Sequence, residues 1–444
     1  MKKLIWISAW LWIGLWSCEP KEEPPVTADP TKPVVDEVKN AIVDVMREWY
    51  FWNGQIPTTV DLTKYTSNEA LLDGIIYKPI DRFSYITTQE AFNNAFVGKN
   101  AGHGFGFAFT ADEKLYVSFV FAEAPAGKDG WKRGWEITQI NGKPIAEYKI
   151  SSGGYDFKLG TSDPGITNSF TFKLPDGTTT TRSNVKAEYQ SNSVLDQRVI
   201  QVDTKKVGYW AYQSFKATAG LSPTRSAEVQ TSMEFFQNQG VQELVIDLRY
   251  NGGGSVAVAE QICNYLIQTA NNSKLMYTNK LNAMKTAQNT SRNFSKIGTI
   301  SLSRVIFLTS RSSASASELI INALDPYMDV VLIGDNTYGK PVGSFPLSSY
   351  NRILQTNNVE VVPITFSIAN SAGKAEYFDG FPADFNVGDS PQFAWGDVKD
   401  LRLAAAIQYI RTGTVGNRTR DTYYKPSWEL IDAFKGLQQE FPVF

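Results

Sequence analysis

A run of small residues, Ser312-Ser313-Ala314-Ser315-Ala316-Ser317-Glu318, directly follows the apolar stretch Val305-Ile306-Phe307-Leu308 and opens a helical pattern. A serine hydroxyl at such a turn meets the positive end of a helix and its unpaired N–H groups, which stabilise the oxyanion formed when a serine attacks a carbonyl. The same residues also make a serine-rich N-cap, so the run by itself leaves nucleophile and cap both open. A second apolar stretch, Val330-Val331-Leu332-Ile333, leads into Gly334-Asp335-Asn336-Thr337-Tyr338-Gly339-Lys340-Pro341. If Lys340 is buried beside a serine, desolvation favours its neutral amine, which can accept a hydroxyl proton. A third stretch, Leu244-Val245-Ile246, ends in Asp247-Leu248-Arg249-Tyr250-Asn251-Gly252-Gly253-Gly254. Its glycines let backbone approach a ligand closely. It lacks the Gly-Lys-Ser/Thr ending of a phosphate loop, and an oxyanion donor from Gly253 or Gly254, paired with the N–H of Ala316, fits it better.

Other chemistries have few residues to work with. The chain holds one histidine, His103, between Gly102 and Gly104, where it reads as a local turn residue; a Ser-His-Asp triad would have to borrow it. No Cys or His cluster has zinc spacing, so zinc chemistry is not expected, and Cys263 reads as a small apolar core residue. The net charge of -2 comes without blocks of like charge, which argues against nucleic acid and leaves a protein or peptide partner.

The elements that must position these residues follow from periodicity. Met1-Lys2-Lys3 and the apolar run Leu4 to Trp16 read as a secretory signal too short to span a bilayer. Its end, Leu15-Trp16-Ser17-Cys18, resembles a bacterial lipobox, in which Cys18 is acylated and anchors the chain to a membrane. Residues 19–34 hold five prolines and read as a tether, in which Lys21-Glu22-Glu23 resembles an acidic export signal of surface lipoproteins. Val38, Ile42, Val45 and Trp49 repeat at helical spacing and, with helical stretches near Glu69–Ile76 and Gln89–Phe96, predict a small helical N-terminal domain over 35–100. Residues 101–185 turn to short strands such as Leu115–Val120, punctuated by Gly and Pro. Beyond them, over 186–415, strands alternate with helices expected at Thr224–Gln239, Val256–Ile267 and Ala316–Leu324, a layered α/β pattern with sites at strand-to-helix turns. Residues 416–444 form a C-terminal extension.

Two family resemblances sharpen this reading. Gly104-Phe105-Gly106-Phe107, Ala124-Pro125-Ala126, Trp131-Lys132-Arg133-Gly134 and Ile137-Thr138-Gln139-Ile140-Asn141-Gly142 resemble a PDZ domain, with Trp135 where the family usually has aspartate. The resemblance implies that the loop Gly104, Phe105, Gly106 and Phe107 receives a peptide's terminal carboxylate while the peptide adds as a strand. The three chemical segments, in order, are similar to the C-terminal processing peptidases, or tail-specific proteases: an Asp-Leu-Arg-x-Asn-x-Gly-Gly loop, Ser-Ala-Ser-Ala-Ser-Glu, then Thr-Tyr/Phe-Gly-Lys, with 25 positions from Ser315 to Lys340 as in the family. Asp379-Gly380-Phe381-Pro382-Ala383-Asp384 and a closing helix over Asp400–Ile410 extend the likeness to roughly Val35–Gly413.

That resemblance implies a mixed α/β fold: a crotonase-like layered protease core with an inserted β-rich PDZ domain and a helical N-terminal domain. It also implies a Ser315/Lys340 dyad that needs no metal or organic cofactor, while the PDZ likeness implies substrates with free C-termini and the lipobox-like end a lipid-anchored place in the cell envelope, on the periplasmic face or outer-membrane surface. Many members carry glutamine four residues after the lysine. Here Ser344 stands there, so the third role is open between Ser344 and Glu318, the latter expected to pack or cap locally. Two rival functions remain: a non-catalytic peptide-binding scaffold, and an envelope protein binding glycan or a small ligand.

Overall fold

The computed structural model describes residues 36–415 except 152 and 220–223. Cys18, the tether and the C-terminal extension lie outside the described residues. Among those residues no helix is long and apolar enough to cross a membrane.

The apolar runs become adjacent strands of one six-stranded sheet, in the order Val194–Val202, Lys205–Tyr212, Glu243–Asp247, Arg304–Thr309, Asp329–Gly334, Phe385–Asn386. The first pair is antiparallel and the rest are parallel. Side chains alternate across it, so both faces need cover. Leu244, Ile246, Val305 and Phe307 pack beneath the helices Ala227–Gln239, Val256–Leu266 and Ala316–Leu324. Val245, Ile306, Leu308 and Ile333 pack against Leu403, Ala406 and Ile410 of the helix Leu401–Thr412. Each such burial stabilises by about 1.5–3 kcal/mol. The helix expected from Thr224 starts at Ala227 because the Ser226 hydroxyl accepts from Val229 N at 3.3 Å, capping it there. It stops at Gly240, whose φ of 65° suits the left-handed cap.

The helical segment before residue 86 does not build a core of its own. Ile42, Met46, Leu71 and Ile75 share a cluster with Val342, Leu347, Val361 and Ile364, and Tyr85–Thr87 pairs antiparallel with Glu360–Val362. Amphipathic spacing shows that a helix has an apolar face and is silent about what that face meets.

Residues 105–185 form a separate antiparallel sheet, ordered Phe105–Phe109, Leu115–Val120, Glu136–Ile140, Thr167–Lys173, Thr179–Val185. Phe105, Trp131, Phe170 and Phe172 fill its core with edge-to-face contacts such as Trp131–Phe172 at 4.7 Å. Arg133 projects from this sheet into the α/β core: its Nε donates to Phe393 O (2.8 Å), its Nη1 to Ser118 O (2.7 Å), and it lies 4.1 Å from the Trp395 ring centre.

Candidate active site

The turn between the strand Arg304–Thr309 and the helix Ala316–Leu324 is wired by the serines flanking Ser315. Ser313 Oγ donates to Leu248 O (2.8 Å) and accepts from Ser310 N (3.0 Å), while Ser317 Oγ donates to Asn251 O (3.1 Å). Ser315 itself is part-exposed at the helix mouth with φ 55° and ψ −111°, a backbone region that costs a non-glycine residue about 1–3 kcal/mol. Ala314 N donates to Asn251 O (3.1 Å) and Ser315 N to Glu318 Oε2 (2.9 Å), and these bonds hold the strained turn.

Glu318 does more than the local capping expected of it. Fully buried, its carboxylate accepts four hydrogen bonds. Thr337 Oγ1 (2.6 Å) and Gly339 N (2.7 Å) donate to Oε1; Ser315 N (2.9 Å) and Lys340 N (2.8 Å) donate to Oε2. Burial pushes its pKa up, and the four donors pull it back. One carboxylate oxygen thereby holds the backbone of Ser315 and of Lys340 together. Tyr338 N donates to Ser313 O at 2.9 Å and closes the same junction. Lys340 is 5% exposed, with its Nζ 5.9 Å from the centre of the Phe83 ring.

Phe83 belongs to a part of the site that motif reasoning did not find. Arg82 Nη2 donates to Tyr338 O (3.3 Å), Gly339 O (3.3 Å) and Phe378 O (3.1 Å), and its guanidinium lies between the Phe83 and Tyr338 rings at 4.7 and 4.9 Å. Asp81 sets this pair by accepting from Phe83 N (2.9 Å) and Ser84 N (3.0 Å). The signal available in the sequence was an arginine and an aromatic beside a turn-forming aspartate, a pattern too common to single out.

The glycine loop reaches the same place from the neighbouring strand. Gly253 (φ 115°) lies so close to the serine turn that a Cβ on it would sit 2.9 Å from Ser315 Cβ and 3.2 Å from Ala316 N. Its own N–H donates to Asn251 Oδ1 (2.9 Å) and is thereby engaged. Asn251, fully buried, also donates from Nδ2 to Tyr212 O (2.9 Å). Behind the loop Arg249 bonds Asp247 (Nη2–Oδ2 2.7 Å), Asp389 (2.8 Å) and Asp400 (2.8 Å). Burial alone would raise Asp389, yet Arg249, Arg402 and Arg133 hold it well below the usual carboxylate range.

The remaining candidates lie apart or unengaged. His103 is buried in the inserted sheet, its ring nitrogens 2.7 Å and 2.8 Å from the side-chain oxygens of Asn184 and Asn168; burial lowers its pKa against those bonds. It lies, as expected, in the short link between the strands Lys99–Gly102 and Phe105–Phe109, but buried and not at the surface. Ser344 follows the short strand Val342–Gly343 and is part-buried; the hydroxyl engaged there is that of Thr365, whose Oγ1 accepts from Phe345 N (3.0 Å). Gly104 (φ 81°) precedes the edge strand that carries Phe105, Gly106 and Phe107.

The description "Peptidase family S41" matches residues 206–361 and "Peptidase S41 N-terminal domain" matches 37–85, taking in the glycine loop, the serine turn, the lysine loop and the Asp81–Phe83 support. The chain belongs to peptidase family S41. Its S41 relatives include the chloroplastic carboxyl-terminal-processing peptidase 3 of Arabidopsis thaliana, 23% identical over 59% of this chain and 50% of that one. The carboxy-terminal processing protease CtpB of Bacillus subtilis is 23% identical over 72% of this chain and 63% of its own length. The chain thus spans about half to two-thirds of these curated relatives. The crystal structure of a Bacteroides fragilis protein assigned to the S41 proteases superposes with a TM-score of 0.67 at 25% identity, covering 84% of this chain and 97% of that one.

Proposed function

We propose that this S41 chain is a serine endopeptidase in which Ser315 is the nucleophile and Lys340 the general base. The observation that carries the reading is the Glu318 carboxylate, whose Oε2 takes both the Ser315 and the Lys340 N–H and so ties the two backbones to one oxygen at the mouth of a helix. In the reaction Lys340 Nζ accepts the Ser315 Oγ proton as that oxygen attacks a peptide carbonyl. The oxyanion forms against the N–H groups of Ala316 and Gly254 at the positive end of the helix Ala316–Leu324. Lys340 returns the proton to the leaving amine, and water then releases the acyl-enzyme.

The substrates in this reading are proteins or peptides with free C-termini. A tail adds along the outer edge of the strand Phe105–Phe109, its carboxylate at the Gly104–Phe107 turn, a role supported by the place of that strand at the end of its sheet. Acylated Cys18 would tether the enzyme in the cell envelope. The test is hydrolysis of unstructured peptides with free or amidated apolar C-termini by the wild type, S315A and K340A. Cleavage by the wild type alone, faster on free C-termini, supports the reading. Equal behaviour of wild type and S315A ends it in favour of a binding scaffold.

A further inference from the structure

The mechanism uses one buried lysine, and the described residues hold another at a place just as exposed to its consequences. Lys216 is 0% exposed, and its Nζ lies 2.5 Å from Ser191 Oγ and 4.9 Å from the centre of the Phe121 ring. Ser191 is itself fixed: its Oγ donates to Gly98 O (3.1 Å) and accepts from Asn100 Nδ2 (2.9 Å). Lys216 Cδ runs so close to Gly98 that a Cβ there would lie 3.2 Å from it. Phe121, meanwhile, donates from its N–H to Gly104 O (2.9 Å) in the inserted sheet. One side chain thus locks into both the segment after the N-terminal helices and the inserted β unit.

The residue before it holds the glycine loop. Phe215 N donates to Gly253 O (2.9 Å) and Phe215 O accepts from Ser255 N (2.8 Å), bracketing Gly254 in a parallel bridge. The close approach leaves no slack, since a Cβ on Gly254 would sit 2.4 Å from Phe215 O. Whatever sets Phe215 sets the Gly254 N–H.

We propose that Lys216 is a positioning residue for the oxyanion donors, holding Phe215, and through it the Gly253–Ser255 turn, by lodging its amine between Ser191 and Phe121. The inference rests on the peptidase reading for its catalytic consequence, though not for its structural one. Burial pushes the Lys216 pKa down to about 7, with Glu228 of the helix Ala227–Gln239 acting in the opposite sense. On the other faces lie Phe121, Gly98 and Ser191, the last bonded by Asn100; Tyr189, tilted against Phe121 at 6.0 Å, has its hydroxyl raised by burial and stays protonated. Below about pH 7 the amine gains a proton in a cage with little to solvate it, and the turn loosens.

The experiment compares wild type, K216M, K216R and S315A between pH 6 and pH 8. Hydrogen exchange reads the Phe215 and Ser255 amides directly. Wild-type protection of these two should fall about tenfold from pH 8 to pH 6, the size of one pH unit of titration. K216M, which fills the cage without a proton, should hold its protection level, and K216R, which cannot shed its charge, should be weakly protected at both values. In turnover the ratio of wild-type to K216M kcat should fall about tenfold from pH 8 to pH 6 with KM steady, because any pH dependence common to the two proteins cancels in that ratio. A K216M chain that retains the wild-type fall in protection, or a K216R chain protected as wild type, overturns the proposal. If wild type and S315A cleave equally, the peptidase reading fails while the exchange result still decides Lys216.

Discussion

Lys340 and Lys216 are both buried, and each belongs to a neighbourhood that includes a serine, yet the two regions are built for different work. Around Lys340 the backbone is strained at Ser315, glycine stands where a side chain would collide, and the serine is part-exposed at a helix mouth. Around Lys216 the serine is sealed at 1% exposure and its hydroxyl is committed to a backbone carbonyl. Lys216 meets its serine amine to hydroxyl, whereas Lys340 and Ser315 are joined through their backbone N–H groups on one carboxylate. What separates a reactive pair from a structural one is access together with donors aimed at where negative charge will develop.

The largest effect should come from the reactive region. K340A and S315A are each expected to lower kcat/KM by roughly four orders of magnitude, with an unchanged melting temperature within a few degrees. A K340A enzyme that keeps most of its activity would break the contrast, since Lys340 would then be as structural as Lys216.

Next is the clamp between serine and lysine. Glu318→Gln keeps the shape but turns an amide NH₂ toward N–H donors, so kcat should drop about 10²-fold, alongside a stability loss of about 2–4 kcal/mol in urea unfolding. Full activity in E318Q would mean that the shared carboxylate does not set the pair. Gly253→Ala tests the steric side: a Cβ 2.9 Å from Ser315 Cβ at φ 115° should cost about 1–3 kcal/mol and about tenfold or more in kcat, seen by single-turnover kinetics.

The smallest effect is a slope. Lys216 binds its proton near pH 7 in the folded chain and near the ordinary lysine value of 10.5 when unfolded. Between those limits the unfolded state holds more protons, so stability rises with pH across this window and flattens below about pH 7. Urea midpoints measured from pH 7 to pH 10 should climb in wild type relative to K216M, by an amount on the order of a few kcal/mol. Parallel curves for the two would remove the burial argument for Lys216.

Some of this was legible along the chain because the signal is local. The strands Glu243–Asp247, Arg304–Thr309 and Asp329–Gly334 announced themselves as apolar runs, and the helix Ala316–Leu324 begins and ends where its composition indicates. The strands and turns that carry the serine, lysine and glycine segments therefore follow from short-range pattern. Other features depend on partners far away in the chain. Glu318 meets Gly339 and Lys340 from 21 and 22 positions away, and Arg82 meets Tyr338 from 256. His103 looked like a turn residue from its glycine neighbours, and only folding brought Asn168 and Asn184 to its ring.

By itself, then, the order of residues determined the apolar strands before the glycine, serine and lysine loops, the helix Ala316–Leu324, and which side chains could take part in acyl transfer, because propensity, capping and periodicity act within a few residues. Tertiary structure decided which carboxylate joins serine to lysine, which glycine lies against the serine turn, and which lysine lies sealed against Ser191. Those outcomes depend on the distances and desolvation created when separate elements pack, and no stretch of sequence holds them alone.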